Sequence, residues 1–317
     1  MLQRDVAKDP GNPNVEVSRL LSEGAEIGWS LMGDDMPAEN SPIFAIAAHR
    51  SEIAHGRWSN EDITFLFEAI SALLGTSCAH VVSLANSLSA VDPVLIHPVM
   101  TLIRSEAEAA GLMMWVLEPF IAPNGVHEVA DDTLWFEVAA KVLARAQLLM
   151  FDSLNDRAKR HRADGNTQGA ADVDERSAQE ARRIEGQHPA GTTTLRGTDR
   201  RAWRVAGEQL PTRTDQAIVS TEYAYGQDAR FSGMNPYPML SGHAHASLDV
   251  TFAYRVRERA GGMRGLFAAN SSEATQAASL AIRILAASMD FFANAVGQDR
   301  EALDAWIEES DEFVLRR

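Results

Sequence analysis

Two distant stretches of the chain hold four side chains whose types and spacing suit chemistry. Arg104 and Glu108 stand four residues apart in Arg104-Ser105-Glu106-Ala107-Glu108-Ala109-Ala110. On a helix that spacing stacks them one turn apart as an ion pair. The flanking sequence is apolar, so the helix should be mostly buried, and ionised groups there need partners. Ser241 and His245 supply a hydroxyl and an imidazole, also four residues apart. A facing helix can bring them to the pair. The cluster then has two uses. It is a structural network, or it is an active site. In the active site His245 is the general acid/base, Glu108 orients it, and Arg104 holds an oxyanion or phosphate. Trp115 lies two turns beyond Glu108, and Tyr237 and His243 flank Ser241. These three are the candidate substrate contacts.

Other motifs carry less. His243 and His245 share a face only on a strand and diverge on a helix. No His-x3-His, cysteine pair or Glu-x2-His accompanies them, so no metal site is expected. Asp34-Asp35 with Glu39, and Asn155-Asp156 with Lys159, offer carboxylates of the kind that hold magnesium–diphosphate in terpene synthases. Asp34 lies too near the start for the helices that would precede it. Ala260-Gly261-Gly262-Met263-Arg264-Gly265 is glycine-rich but follows no clear strand, and no Gly-x-Ser-x-Gly elbow occurs. No cofactor is expected.

The elements that would position these residues are helical. Residues 15–32 form the first. A short helix is expected within 43–53, then helices at 59–74 and 77–89 separated at Gly75, a natural helix stop. Residues 98–117 carry Arg104 and Glu108 and end before Pro119. Residues 131–162 follow, with acidic residues at the start and basic ones at the end, matching the helix dipole. Further helices are expected at 170–187, 212–225, 271–296 and 301–313. The pattern predicts an all-α fold: a helical bundle with long antiparallel helices and a polar, partly mobile insertion. The divisions are a flexible arm (1–14), the first half of the bundle (15–162), the insertion or linker (163–211) and the second half (212–317).

Composition bounds the rest. The chain has 317 residues, 45% of them apolar and 23% charged, which suits a globular fold and excludes collagen-like and fully disordered classes. A net charge of −15 repels polyanions overall, so RNA would need a local basic patch. Basic charge is densest over residues 152–204, where 11 basic residues meet 9 acidic ones. Cys78 is the single cysteine, which excludes an intrachain disulfide and fits a reducing, cytoplasmic setting. The first residues lack the apolar core of a secretory signal, and no unbroken run of about 18 apolar residues occurs.

The pattern Arg104-x3-Glu108-Ala109-Ala110 with Trp115-Val116-Leu117-Glu118-Pro119, followed by Tyr237-x2-Leu240-Ser241-x3-His245, resembles a largely actinobacterial family of helical proteins similar to the HEPN superfamily. The likeness covers residues 95–120 and 235–250. It implies small helical bundles, commonly dimeric, many of them metal-independent ribonucleases in toxin–antitoxin and phage-defence systems. It implies roles here for Arg104, Glu108, Ser241 and His245. The usual nuclease signature, Arg followed by His after four to six residues, is missing from both matched stretches. That spacing occurs instead at Arg50/His55 and Arg183/His188. Three functions compete: an RNA-directed enzyme; a small-molecule enzyme or binder with an apolar pocket lined by Met113, Met114, Trp115 and Phe120; and a noncatalytic scaffold that dimerises, as a homo-oligomer, or binds a protein partner.

Overall fold

The computed structural model describes residues 13–33, 37–53, 56–90, 94–121, 132–197, 199–225, 240, 255–256, 266–269 and 271–315. Nine helices run through them: α1 (Pro13–Met32), α2 (Pro42–His49), α3 (Asn60–Ala90), α4 (Ile96–Ile121), α5 (Asp132–Ala163), α6 (Thr167–Gln187), α7 (Arg213–Tyr225), α8 (Ser271–Val296) and α9 (Glu301–Leu315). The all-α bundle is as expected. One departure is a small antiparallel sheet in the order β1 (Val94–Leu95), β3 (Leu266–Ala269), β2 (Arg255–Val256). Val94 pairs with Ala269, and Arg255 with Phe267. Strands this short leave no alternation for a sequence reading to find.

Local signals set several helix ends. Ser59 and Asp62 cap α3 reciprocally: the Asp62 amide donates to Ser59 Oγ at 3.2 Å, and the Ser59 amide donates to Asp62 Oδ2 at 2.9 Å. Thr212 and Asp215 repeat the arrangement at α7. Two expected stops fail. Gly75 does not divide α3, which runs unbroken for 31 residues. A glycine inside a helix costs only about 1 kcal/mol, and α3 buries Leu66, Ile70, Leu74, Cys78, Val81 and Leu88 along one stripe. Pro119 does not end α4 either, because it lies in the last turn. Proline has no N–H to give the carbonyl four residues back. That carbonyl belongs to Trp115, and the Arg145 guanidinium of α5 donates to it instead.

α4 is the central element, packed against α3, α5, α7 and α8. Its contact with α7 is very close. A Cβ added to Gly111 would lie 1.7 Å from the Gln216 carbonyl oxygen. Helices α3 (residues 60–89) and α8 (residues 274–296) reach mean hydropathies of 1.6 and 1.3, apolar and long enough to cross a membrane by composition alone. Both contribute buried side chains to the bundle core.

The 163–211 segment is polar, as expected, but it is seated on the bundle. α6 packs on α5 and buries Ile184. Thr194 and Arg204 exchange backbone hydrogen bonds at 2.8 Å and pin a hairpin-like loop. Inside that loop Trp203 is 1% exposed, edge-on to Phe151 of α5 with ring centroids 4.8 Å apart. An aromatic ring of that size anchors the loop even where aliphatic periodicity is absent.

Candidate functional site

The expected ion pair on α4 forms: Arg104 Nε donates to Glu108 Oε1 at 2.7 Å, in a setting where Arg104 is only 8% exposed. The other Glu108 oxygen, Oε2, lies 3.8 Å from Arg213 Nη1 at the start of α7. Gly111, one turn further along α4, is what lets α7 come this close. Ser241, His245, Tyr237 and His243 lie outside the described residues. Their described neighbour Leu240 is fully buried in the core.

Glu108 borders an open cleft of about 520 Å³ between α3, α4, α5, the start of α7 and the 194–204 loop. Three arginines line it: Arg200 and Arg201 from a 3-10 turn, and Arg213 from α7. Asp199 caps that turn by accepting from the Arg201 amide at 3.0 Å. His80 of α3 and Asp152 and Asp156 of α5 complete the polar wall.

Asp152 is the most perturbed group there. It is 9% exposed; Oδ2 accepts from Arg200, while Oδ1 is buried and has no hydrogen-bond partner among the described residues. Burial pushes its pKa up to about 6, against the pull of Arg200 and with the help of the neighbouring Asp156 charge. Partial burial shifts the His80 imidazole the other way, below its ordinary value, so it stays neutral at physiological pH. A carboxyl still partly protonated near neutral pH, a neutral imidazole and neighbouring cations are a set suited to acid–base work on an anion. Among the described residues, no group of three or more His, Cys, Asp or Glu is placed to hold a metal ion.

Trp115 does not line this cleft. It is 8% exposed and stacks under Arg145, whose guanidinium carbon is 5.0 Å from the ring centroid. Met113, Met114 and Phe120 are likewise buried in the common core. The pocket beside the ion pair is therefore not the one expected from these four residues: Ala109, Leu112, Leu210 and Pro211 share its lining with the charged groups.

The Arg183/His188 spacing leads to a buried network instead. Arg183 Nη2 donates to Asp62 Oδ1 at 2.7 Å, Gln147 Nε2 donates to the same oxygen at 2.9 Å, and His188 Nε2 meets Gln147 Oε1 at 2.9 Å. Asp62 and Gln147 are each 1% exposed, and His188 is 7% exposed. Burial alone would raise the Asp62 pKa, but the bonds from Arg183, Gln147 and Ser59 outweigh it and hold it at about 2. Arg50, of the other pair, is exposed and bonds the Ala47 carbonyl at 3.0 Å; His55 lies outside the described residues. Cys78 is fully buried, and burial pushes its thiol up to about 12, which makes it inert.

The sequence reading missed Asp152, His80 and Arg213. Asp152 had a signal: it follows directly on Leu148-Leu149-Met150-Phe151, where a solvated carboxylate is out of place. Arg200 and Arg201 fell within the basic stretch but had no visible target. No family model, curated protein or solved structure matches this chain.

Proposed function

We propose that the protein binds a small anionic substrate, of the phosphate-ester class, in the cleft bordered by Glu108, and carries out acid–base chemistry on it. Arg200, Arg201 and Arg213 hold the anion. Asp152 donates a proton and the neutral His80 imidazole accepts one. The observation that supports this most is Asp152: a carboxyl with one orphaned oxygen and a raised pKa, among guanidinium groups at an open cleft. The cleft volume of about 520 Å³ fits a compact ligand, and the net charge of −15 favours a small anion over a polyanion.

A second reading, the RNA-directed enzyme implied by the HEPN resemblance, is favoured by Glu108, ion-paired to Arg104, bordering the same cleft. Calorimetric titration separates the two. Probes are pyrophosphate, a nucleoside monophosphate and a single-stranded RNA oligonucleotide. Saturable binding of the small anions, weakened at least tenfold by Arg200→Gln with Arg201→Gln, is the expected result. Binding of RNA alone supports the second reading. Absence of binding by any probe, or binding indifferent to loss of both arginines, overturns the proposal.

A further inference from the structure

A second cleft, of about 340 Å³, opens between the 189–206 part of the loop, α5 and the Trp58 segment that leads into α3. Its floor is apolar: Ala140 of α5, with Pro189 and Ala206 of the loop. Its wall is Trp58, 7% exposed, with its indole N–H buried and without an acceptor among the described residues. Its rim carries two opposite charges, Glu137 and Lys141, exposed and one turn apart on α5.

Those two charges are the informative feature. Glutamate four residues before lysine is the favourable order for a helical ion pair. Among the described residues neither Glu137 nor Lys141 has an ion-pair or hydrogen-bond partner. Both border the cleft instead. The far wall is also unusual. Ala206 has φ +48°, a left-handed conformation that alanine rarely adopts, and with Gly207 at φ +85° it forms a tight turn closed by Val205 and Glu208. Strained backbone and unsatisfied buried donors collect where a binding surface is held in shape. Here both occur at one cleft.

We infer that this second cleft binds a free α-amino acid with an apolar side chain. The carboxylate faces Lys141, the ammonium faces Glu137, and the side chain lies on Ala140, Pro189 and Ala206 against Trp58. A rim with separated, unpaired charges of both signs over an apolar floor matches a zwitterion with an apolar tail. A simple fatty or aromatic acid would leave Glu137 facing its carboxylate. The inference does not rest on the chemistry proposed for the first cleft.

The test is calorimetric titration with L-phenylalanine and L-leucine. Two analogues accompany them: 3-phenylpropionate, which lacks the ammonium, and phenethylamine, which lacks the carboxylate. Saturable binding of the amino acids, at least tenfold tighter than of either analogue, is expected. Lys141→Met and Glu137→Gln should each weaken it at least tenfold. Both sites are exposed on α5, so the variants fold, and an unchanged melting temperature checks this. No saturable binding at millimolar concentration overturns the inference. So does 3-phenylpropionate binding as tightly as phenylalanine, or binding untouched by Lys141→Met.

Discussion

Replacing Gly111 by alanine tests whether the close α4–α7 crossing builds the first cleft. The added methyl would sit 1.7 Å from the Gln216 carbonyl oxygen. A carbon needs about 3.3 Å from such an oxygen, so α7 must retreat by roughly 1.6 Å. Overpacking of this kind costs about 1–3 kcal/mol. Alanine recovers about 1 kcal/mol of helix propensity, leaving a net loss of up to about 2 kcal/mol. At about 2–4 °C per kcal/mol for a large domain, the melting temperature falls by several degrees. The same retreat carries Thr212, Arg213 and Gln216 away from Glu108, so pyrophosphate affinity should drop with it. Gly186→Ala in α6 is the control. A Cβ there meets nothing within 4 Å, and the substitution should stabilise by about 0.4–1 kcal/mol with affinity intact. Thermal melts and calorimetry on both variants decide the matter. A Gly111→Ala protein with unchanged melting temperature and affinity would refute the reasoning.

Two buried carboxyls give opposite pH signatures. Glu106 of α4 is fully buried, both oxygens are unpartnered among the described residues, and burial raises its pKa well above 4.5, so it is folded in its neutral form. Its stabilising protonation is complete below about pH 4.5 and is lost as pH rises toward the folded value. Glu106→Met should therefore raise stability at pH 7 by about 1–3 kcal/mol and flatten the decline above pH 4.5; urea melts across pH 4–8 read this, and a destabilised variant contradicts it. Asp62 runs the other way. Its folded pKa of about 2 lies below the ordinary 3.8, so about 2 kcal/mol is present above pH 3.8 and lost as pH falls toward 2. Asp62→Ala should remove that acid dependence and destabilise by about 3–5 kcal/mol, because Arg183 and Gln147 lose their acceptor; denaturant melts at pH 7 that match wild type would exclude this role.

Much of the architecture was legible because helix signals are local. Ser59 with Asp62, Thr212 with Asp215, and the apolar stripes of α3, α4 and α8 name their helices without tertiary knowledge. Gly75 and Pro119 misled for the opposite reason. Each is locally a stop, and each is overridden by something distant: the continuous buried stripe of α3, and the Arg145 guanidinium that satisfies the Trp115 carbonyl. At the site, the Arg104–Glu108 pair followed from spacing alone. The partners that matter most to the proposed function did not. Asp152 and Arg200 are 48 residues apart in sequence, and they meet because Trp203 buries itself beside Phe151 and folds the polar segment over α5. Trp203 anchors that loop together with Leu195 and Val205, and no periodic pattern announces it. The Trp115 ring packs with Arg145 inside the bundle and does not line the cleft.

The proton held by Asp152 is the claim on which the proposed chemistry stands. Carbon-13 NMR of the aspartate carboxyls, with the Asp152 signal assigned by its loss in Asp152→Asn, measures it directly. The account predicts a midpoint near pH 6, moving higher when pyrophosphate occupies the cleft and adds negative charge beside it. An Asp152 that titrates below pH 4, indifferent to the anion, would contradict both the electrostatics of the cleft and the function drawn from it.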